Sequence, residues 1–264
     1  MLALICGRGT LPARIAAVQD NPPVICVLDG FEPDGLAADI LFRLETLGGL
    51  LMELGKRGVT EVCFCGGIER PEIDPSKLDK DTAPLVPLLA EAISKGDDGA
   101  LRAVMGIFEK TGFRVRAAHE LVPDLVAPPG VLTELWPDAQ MRADAARGAA
   151  ILAALAPHDV GQSCVVGQGQ LLGIETLGGT DFMLGSLPDA PQCKAGILVK
   201  GPKLGQDTRA DMPTVGPQTA RAVASAGLRG LVIDAGDVIL LEPAETTQIC
   251  NENKLVLWSR TGDG

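Results

Sequence analysis

Tyrosine is absent from this chain, aromatic residues make up 3% of it, and only two histidines occur. Scarce aromatics remove the stacking platforms on which single-stranded nucleic acids bind. A formal net charge of -11 points the same way, because a general nucleic-acid binder carries a basic surface. The histidines, His119 and His158, lie far apart and have no suggestive neighbours. A histidine-based metal centre or a Ser-His-Asp triad would need one of them. C-x-x-C spacing is missing as well, and the cysteines number seven. An odd count without paired spacing reads as reduced thiols in a cytosolic protein, not as a disulfide or zinc framework. No secretory signal opens the sequence. No apolar run reaches the roughly 18 residues of a membrane span. A soluble, cytoplasmic protein is expected. Walker loops and hydrolase elbows are also missing. Gly7-Arg-Gly9 begins like a dinucleotide fingerprint, but Pro12 stands where its third glycine belongs.

What is present is a globular composition. Hydrophobic residues make up 46% and charged residues 22%, and a chain of 264 residues can bury one large core or two smaller ones. Leu2–Cys6, Pro23–Leu28 and Thr60–Cys65 are short continuous apolar runs, the pattern of parallel strands buried on both faces. Helical spacing falls between them, with Pro12 suited to a first turn and Gly58 ending a helix that begins at Gly48. Ile40–Leu44 reads as a short strand, 85–93 as a helix, and Asp97 or Asp98 as the cap of a helix starting near Gly99. Phe113–Ala117 closes this half. The alternation predicts an α/β unit with a small, doubly wound sheet.

A Pro-Pro-Gly break at 128–130 marks a linker between a domain over 1–125 and a second over 134–264. The second half opens with a helix over 139–155. A hairpin over Ser163–Glu175 follows, turning at Gly167-Gln-Gly169. Thr180 or Asp181, after a Gly-Gly pair, reads as a helix cap. Strands at 195–199 and 255–258, with a strand, turn and strand over 231–241, alternate with helices at 221–226 and 245–253.

Between the strand ending at Val199 and the next helix runs Lys200 to Pro217, longer than a βα connection needs. Asp207 and Asp211 offer carboxylates to a metal ion or a water; Lys200, Lys203 and Arg209 offer charge to an anion. The segment is either a solvated connector or part of a site, and composition does not choose. Carboxylates without histidines suit a hard cation such as Mg²⁺. They can also deprotonate a water. Cations and metal can stabilise charge on a phosphorus centre. In the first half, strand ends meet glycines at Gly7-Arg-Gly9 and Gly66-Gly67. Backbone N–H groups there can cradle a phosphate or simply make a tight turn.

Five motifs in order carry a resemblance: Gly7–Pro12, Lys95-Gly-Asp-Asp-Gly99, Val166–Gly169, Glu175 through Gly179-Thr-Asp181, and Lys203–Pro217. Together they resemble the UDP-2,3-diacylglucosamine pyrophosphatases of the LpxI type, enzymes of lipid A synthesis, over essentially the whole chain. The resemblance implies an α/β fold: a nucleotide-side Rossmann-like domain with a small parallel sheet and a catalytic, lipid-binding second α/β domain with a mixed sheet. It implies Mg²⁺-dependent cleavage of UDP-2,3-diacylglucosamine by water into 2,3-diacylglucosamine 1-phosphate (lipid X) and UMP, with attack at the phosphorus nearer the sugar. Asp211, then Asp207, would be catalytic and would hold the metal. Gly9, Thr10, Gly67, Arg70, Lys95, Gly96, Asp97, Asp98, Thr180, Asp181, Lys203, Gln206 and Arg209 would meet the substrate. Relatives usually have Glu-Gly-Thr-Asp where this chain has Gly178-Gly-Thr-Asp181, and Pro where it has Leu204. The expected partners are the lipid-linked UDP-sugar and, transiently, the inner-membrane surface, with room for a homodimer. The competing reading is a non-catalytic protein that binds or senses a nucleotide-sugar.

Overall fold

The structure, a computed structural model, describes residues 1–68, 73–93, 97–203, 207–209 and 211–261; for 91–93, 97 and 98 it describes the backbone alone. The chain divides into two compact units. The first is Met1–Pro123 with Arg209–Asp211; the second is Asp124–Thr208 with Met212–Gly264.

Among the described residues, the first unit holds a five-stranded parallel sheet: β1 (Leu2–Cys6), β2 (Val24–Leu28), β3 (Ile40–Phe42), β4 (Glu61–Cys65) and β5 (Arg114–Arg116), in the order β3-β2-β1-β4-β5. Helices α1 (Leu11–Ala17), α2 (Leu47–Lys56), α3 (Val86–Ile93), α4 (Asp97–Lys110) and α5 (Ala118–Leu121) connect and cover it. The central strands are apolar without alternation because helices bury both faces. Helix α2 presents Leu47, Leu50, Leu51 and Leu54, the helical repeat, to a core shared with Ile5, Leu28, Val62 and Phe64. Phe108 of α4 sits edge-on between Phe64 and Phe113, with centroids 5.2 and 5.9 Å away. Cys6, Cys26, Cys63 and Cys65 are packed within these strands. Burial, with the neighbouring Cys6 adding to it, pushes the Cys26 thiol up to about 12. Such a thiol stays protonated and behaves as a small apolar group.

The second unit is built on a mixed sheet. Its elements, in chain order, are β6 (Gly130–Val131), α6 (Ala139–Leu155), β7 (Ser163–Gly167), β8 (Gln170–Ile174), α7 (Gly179–Gly185), α8 (Pro191–Lys194), β9 (Ile197–Lys200), β10 (Thr214–Val215), α9 (Pro217–Ser225), β11 (Gly230–Asp234), β12 (Ile239–Leu240), α10 (Pro243–Glu252) and β13 (Val256–Arg260). Among the described residues, six strands run in the order β6-β13-β11-β9-β7-β8; β9, β11 and β13 are parallel, β6 and β7 are antiparallel to them, and β8, antiparallel to β7, closes the hairpin at the other edge. Alternate residues feed two cores. Val165, Leu198, Leu231 and Leu257 pack under α7, α9 and α10, while Cys164, Val166, Val199, Val232 and Trp258 pack under α6. Helix α6 lies close on the sheet at Gly148, where a Cβ would come within 2.7 Å of the Val199 side chain.

The hairpin turn explains one sequence motif. Gln168 and Gly169 both have positive φ, as a two-residue primed turn requires. The buried Asp144 carboxylate of α6 accepts from their N–H groups at 3.0 and 2.7 Å and from the Gln140 side chain at 3.1 Å. Val166–Gly169 is thus anchored as a turn. The connection after β9 also differs from the sequence reading. It is interrupted by β10, which pairs in parallel with β12.

Candidate active site

The last cross-strand row before the carboxyl ends of β9 and β11 is where the second sheet turns from apolar to polar. Register places Ser163, Lys200, Ile233 and Ser259 side by side on the face under α7 and α9. The row before it, Val165, Leu198, Leu231 and Leu257, is wholly apolar and buried. An ammonium group in such a position is tolerated only with hydrogen-bond partners. Lys200, 7% exposed, donates to Thr180 Oγ1 at 3.0 Å. Thr180 Oγ1 donates in turn to Glu175 Oε2 at 3.1 Å, and Ser163 Oγ donates to the same carboxylate oxygen. Glu175 follows β8 and Thr180 opens α7, so the hairpin and the helix are tied to the sheet edge through this chain of polar groups.

The opposite face of the same edge carries a second constellation. Asp234 and Arg260 are paired in register at the ends of β11 and β13, with Nη2 and Oδ1 2.8 Å apart. Burial raises the Asp234 pKa above the ordinary aspartate range, and the Arg260 charge pulls it back. Gly201, the residue after β9, lies against this carboxylate: a Cβ there would be 2.3 Å from Asp234 Oδ2. Its N–H donates to Gln162 O at 3.1 Å. Carboxyl ends of parallel strands are where α/β sheets gather ligands.

Thr180 belongs to the edge network. It does not cap α7, whose N-cap is Gly178. Asp181 is exposed on the first turn of α7 and accepts from Gln218 Nε2 at 3.1 Å. Lys203 donates to Asp159 Oδ1 at 2.5 Å. Asp207 and Asp211 are half-buried on either side of the turn at Thr208–Arg209. Among the described residues no three or more His, Cys, Asp or Glu side chains gather as a metal cage. Gln206 and Leu204 lie outside the described residues.

In the first unit, Arg209 donates from Nη1 to Glu109 Oε1 of α4 at 2.5 Å. The two glycine turns lie at the switch point of that sheet, after the adjacent strands β1 and β4. They are laced together: Gly7 N to Cys65 O at 2.8 Å, Arg8 N to Gly67 O at 2.8 Å and Gly67 N to Arg8 O at 2.9 Å. A Cβ at Gly7 would fall 2.4 Å from Gly67 O, so glycine there permits the close approach. Gly9 is left-handed at φ 96°, and the exposed Thr10 is the N-cap residue of α1. Arg8 reaches back to Gly30 O at 2.9 Å and stacks 4.9 Å from the Phe31 ring centroid. Helix α4 starts at Asp97, two residues before the position read from sequence. The side chains of Asp97 and Asp98, and all of Arg70, Lys95 and Gly96, lie outside the described residues.

Sequence reasoning did not single out Ser163, Asp234 or Arg260. Each ends or begins an apolar strand, and only the pairing register reveals that they share one edge. At Gly178, where the resemblance leads to an expectation of Glu, a Cβ would lie 2.7 Å from Phe182 Cδ1. Glycine lets that ring fold back over the start of α7.

Residues 1–125 match the LpxI N-terminal domain, and residues 128–258 match the LpxI C-terminal domain. The UDP-2,3-diacylglucosamine pyrophosphatase LpxI of Caulobacter vibrioides is 32% identical over 255 residues, which covers 91% of this chain and 90% of that protein. Matches to both domains, in order and across both units, mean that the chain belongs to the LpxI family.

Proposed function

We propose that this protein hydrolyses the pyrophosphate of UDP-2,3-diacylglucosamine to 2,3-diacylglucosamine 1-phosphate and UMP. The observation that carries the reading is the identity of 32% to a pyrophosphatase of that name across about nine-tenths of both chains. The polar sheet edge, next in sequence to the Asp207–Asp211 loop, supports it. The first domain takes the nucleotide side and the second takes the lipid and the chemistry.

Asp211 is the proposed base, with Asp207 beside it in the sequence. A carboxylate there accepts a proton as water oxygen bonds to the phosphorus nearer the sugar. The bond from that phosphorus to the bridging oxygen breaks, and UMP leaves with the bridging oxygen. Lys203 and Arg209 each hold a carboxylate, Asp159 and Glu109, at 2.5 Å. Phosphate oxygens of the substrate would exchange with those carboxylates on binding. The donor set suits magnesium of one kind. With no cage of three acidic, His or Cys side chains among the described residues, the ion would rest on one or both aspartates, completed by water and substrate oxygens. When bound it would neutralise charge on the phosphates. Among the described residues no helix is long and apolar enough to cross a membrane. Contact with the inner membrane that supplies the lipid is proposed as peripheral, from the cytoplasmic side.

The test is UMP release by the full chain from UDP-2,3-diacylglucosamine. Chelation should stop it and added Mg²⁺ should restore it. Asp211→Ala should lower turnover by about 10²–10⁴-fold while substrate binding is kept. In heavy-oxygen water the label should enter the lipid phosphate; label in UMP would refute the direction of attack. A wild type that binds the substrate but never releases UMP would make this a sensor, not an enzyme.

A further inference from the structure

We propose that Lys200 is a positioning residue for the reaction, fixing the root of the loop that carries Asp207 and Asp211. The inference rests on the functional reading above. Its own ground is the way the chain leaves β9. Lys200 occupies a row where the aligned neighbours are Ser163 and Ile233, and it is 7% exposed. Stability alone gives little reason for a charge there, because desolvating an ammonium group offsets most of what its pairing returns. What the charge adds is direction. The ammonium binds Thr180 Oγ1, whose proton points to Glu175, and Ser163 holds the same carboxylate. Three separate elements, β7, α7 and the segment after β8, therefore converge on the final residue of β9. The next residue is gripped from the other face: Gly201 donates to Gln162 O at 3.1 Å and lies against the Asp234 carboxylate, itself paired with Arg260. Consecutive residues at the root of the loop are thus held on opposite faces of the sheet. A displacement of about 1 Å in a reacting group can cost about 100-fold in rate, so the root of a catalytic loop is where such rigidity matters.

The network also assigns Thr180 a different task from direct substrate contact. Its hydroxyl has one proton, and that proton goes to Glu175 while the oxygen accepts from Lys200. Thr180 is the joint between the loop root and the hairpin.

The experiment measures kcat and KM separately for UMP release by full-length Lys200→Met, Thr180→Val and Thr180→Ser, with thermal melts of each. Lys200→Met should melt close to wild type, yet its kcat should fall by about 100-fold with KM nearly unchanged. Thr180→Ser keeps the hydroxyl and should stay near wild-type kcat, whereas Thr180→Val should follow Lys200→Met. Lys200→Met with wild-type kcat, or with a loss matching its unfolded fraction, overturns the proposal. Should Lys200→Met not fold, the threonine pair decides, and equal activity of the two overturns it. A wild type that releases no UMP overturns the functional reading and this inference together; a working wild type beside an unimpaired Lys200→Met overturns this inference alone.

Discussion

At the scale of single residues, Gly201 is constrained by its neighbour more than by its own backbone. Adding one methyl group puts a carbon 2.3 Å from Asp234 Oδ2. The carboxylate must turn aside, and Arg260, 8% exposed, loses its partner. Leaving a buried hydrogen-bonding group without its partner costs about 1–3 kcal/mol, so Gly201→Ala should lower stability by that much in urea unfolding. Gly201→Ala with Asp234→Ala should recover part of the strain while leaving Arg260 unpaired, so the pair of mutations should be non-additive. The same residues show why the site was only partly legible. Lys200 and the aspartates of its loop stood out because they lie in a polar connection longer than a βα unit needs. Ser163, Asp234 and Arg260 did not, because a polar residue at a strand end is ordinary until register places it beside others. Gly178 stood out only through resemblance, and its contact with Phe182 lies in the packing of α7.

At the scale of elements, α6 shows how far local chemistry reaches. Asp138 accepts from Met141 N at 2.8 Å as the N-cap, and its other oxygen meets Arg229 Nη2 at 2.8 Å. The backbone bond first, then the Arg229 bond, hold its carboxyl below the ordinary value of 3.8. A carboxyl depressed in the folded state contributes stability that is complete above its unfolded value and is lost as pH falls through the folded one. Asp138→Ala should therefore cost about 1 kcal/mol near neutrality, and the gap should close as acid titrates the wild-type cap. Asp138→Asn should keep most of the cap and lose that pH dependence. The helical spacing of its apolar face made α6 readable to its termini, while the Asp138 cap came only with the structure. The buried strands were readable for a similar reason, since unbroken apolar runs between glycine turns have few alternatives in an α/β chain. The short pieces α5, α8 and β10 were not. Two residues of β10 pair with β12 across intervening α9 and β11, and no local period records such a contact. The start of α7 was misread because Gly178 takes the cap position while Thr180 is drawn toward Lys200.

At the scale of the whole molecule, the charge of -11 sets how the protein can meet its proposed lipid substrate. A polybasic patch of the kind that docks proteins on anionic bilayers is at odds with this composition. What the second unit offers near its polar edge is apolar: Leu177, 99% exposed, just before α7, and Phe182, 67% exposed, on it. Side chains of this kind gain free energy by leaving water, and that gain does not depend on ionic strength. Net repulsion between an acidic protein and an acidic surface is instead weakened by salt. Binding to phosphatidylglycerol-containing vesicles should therefore strengthen, not weaken, as salt rises from low to physiological levels. Leu177→Ser with Phe182→Ser should reduce binding at every salt concentration and raise KM for the two-chain substrate, leaving kcat at saturation largely intact because neither side chain belongs to the Lys200 network. Vesicle co-sedimentation across a salt series measures both effects. Binding that falls steeply with salt would mean that local cations, and not these apolar side chains, bring the protein to the surface.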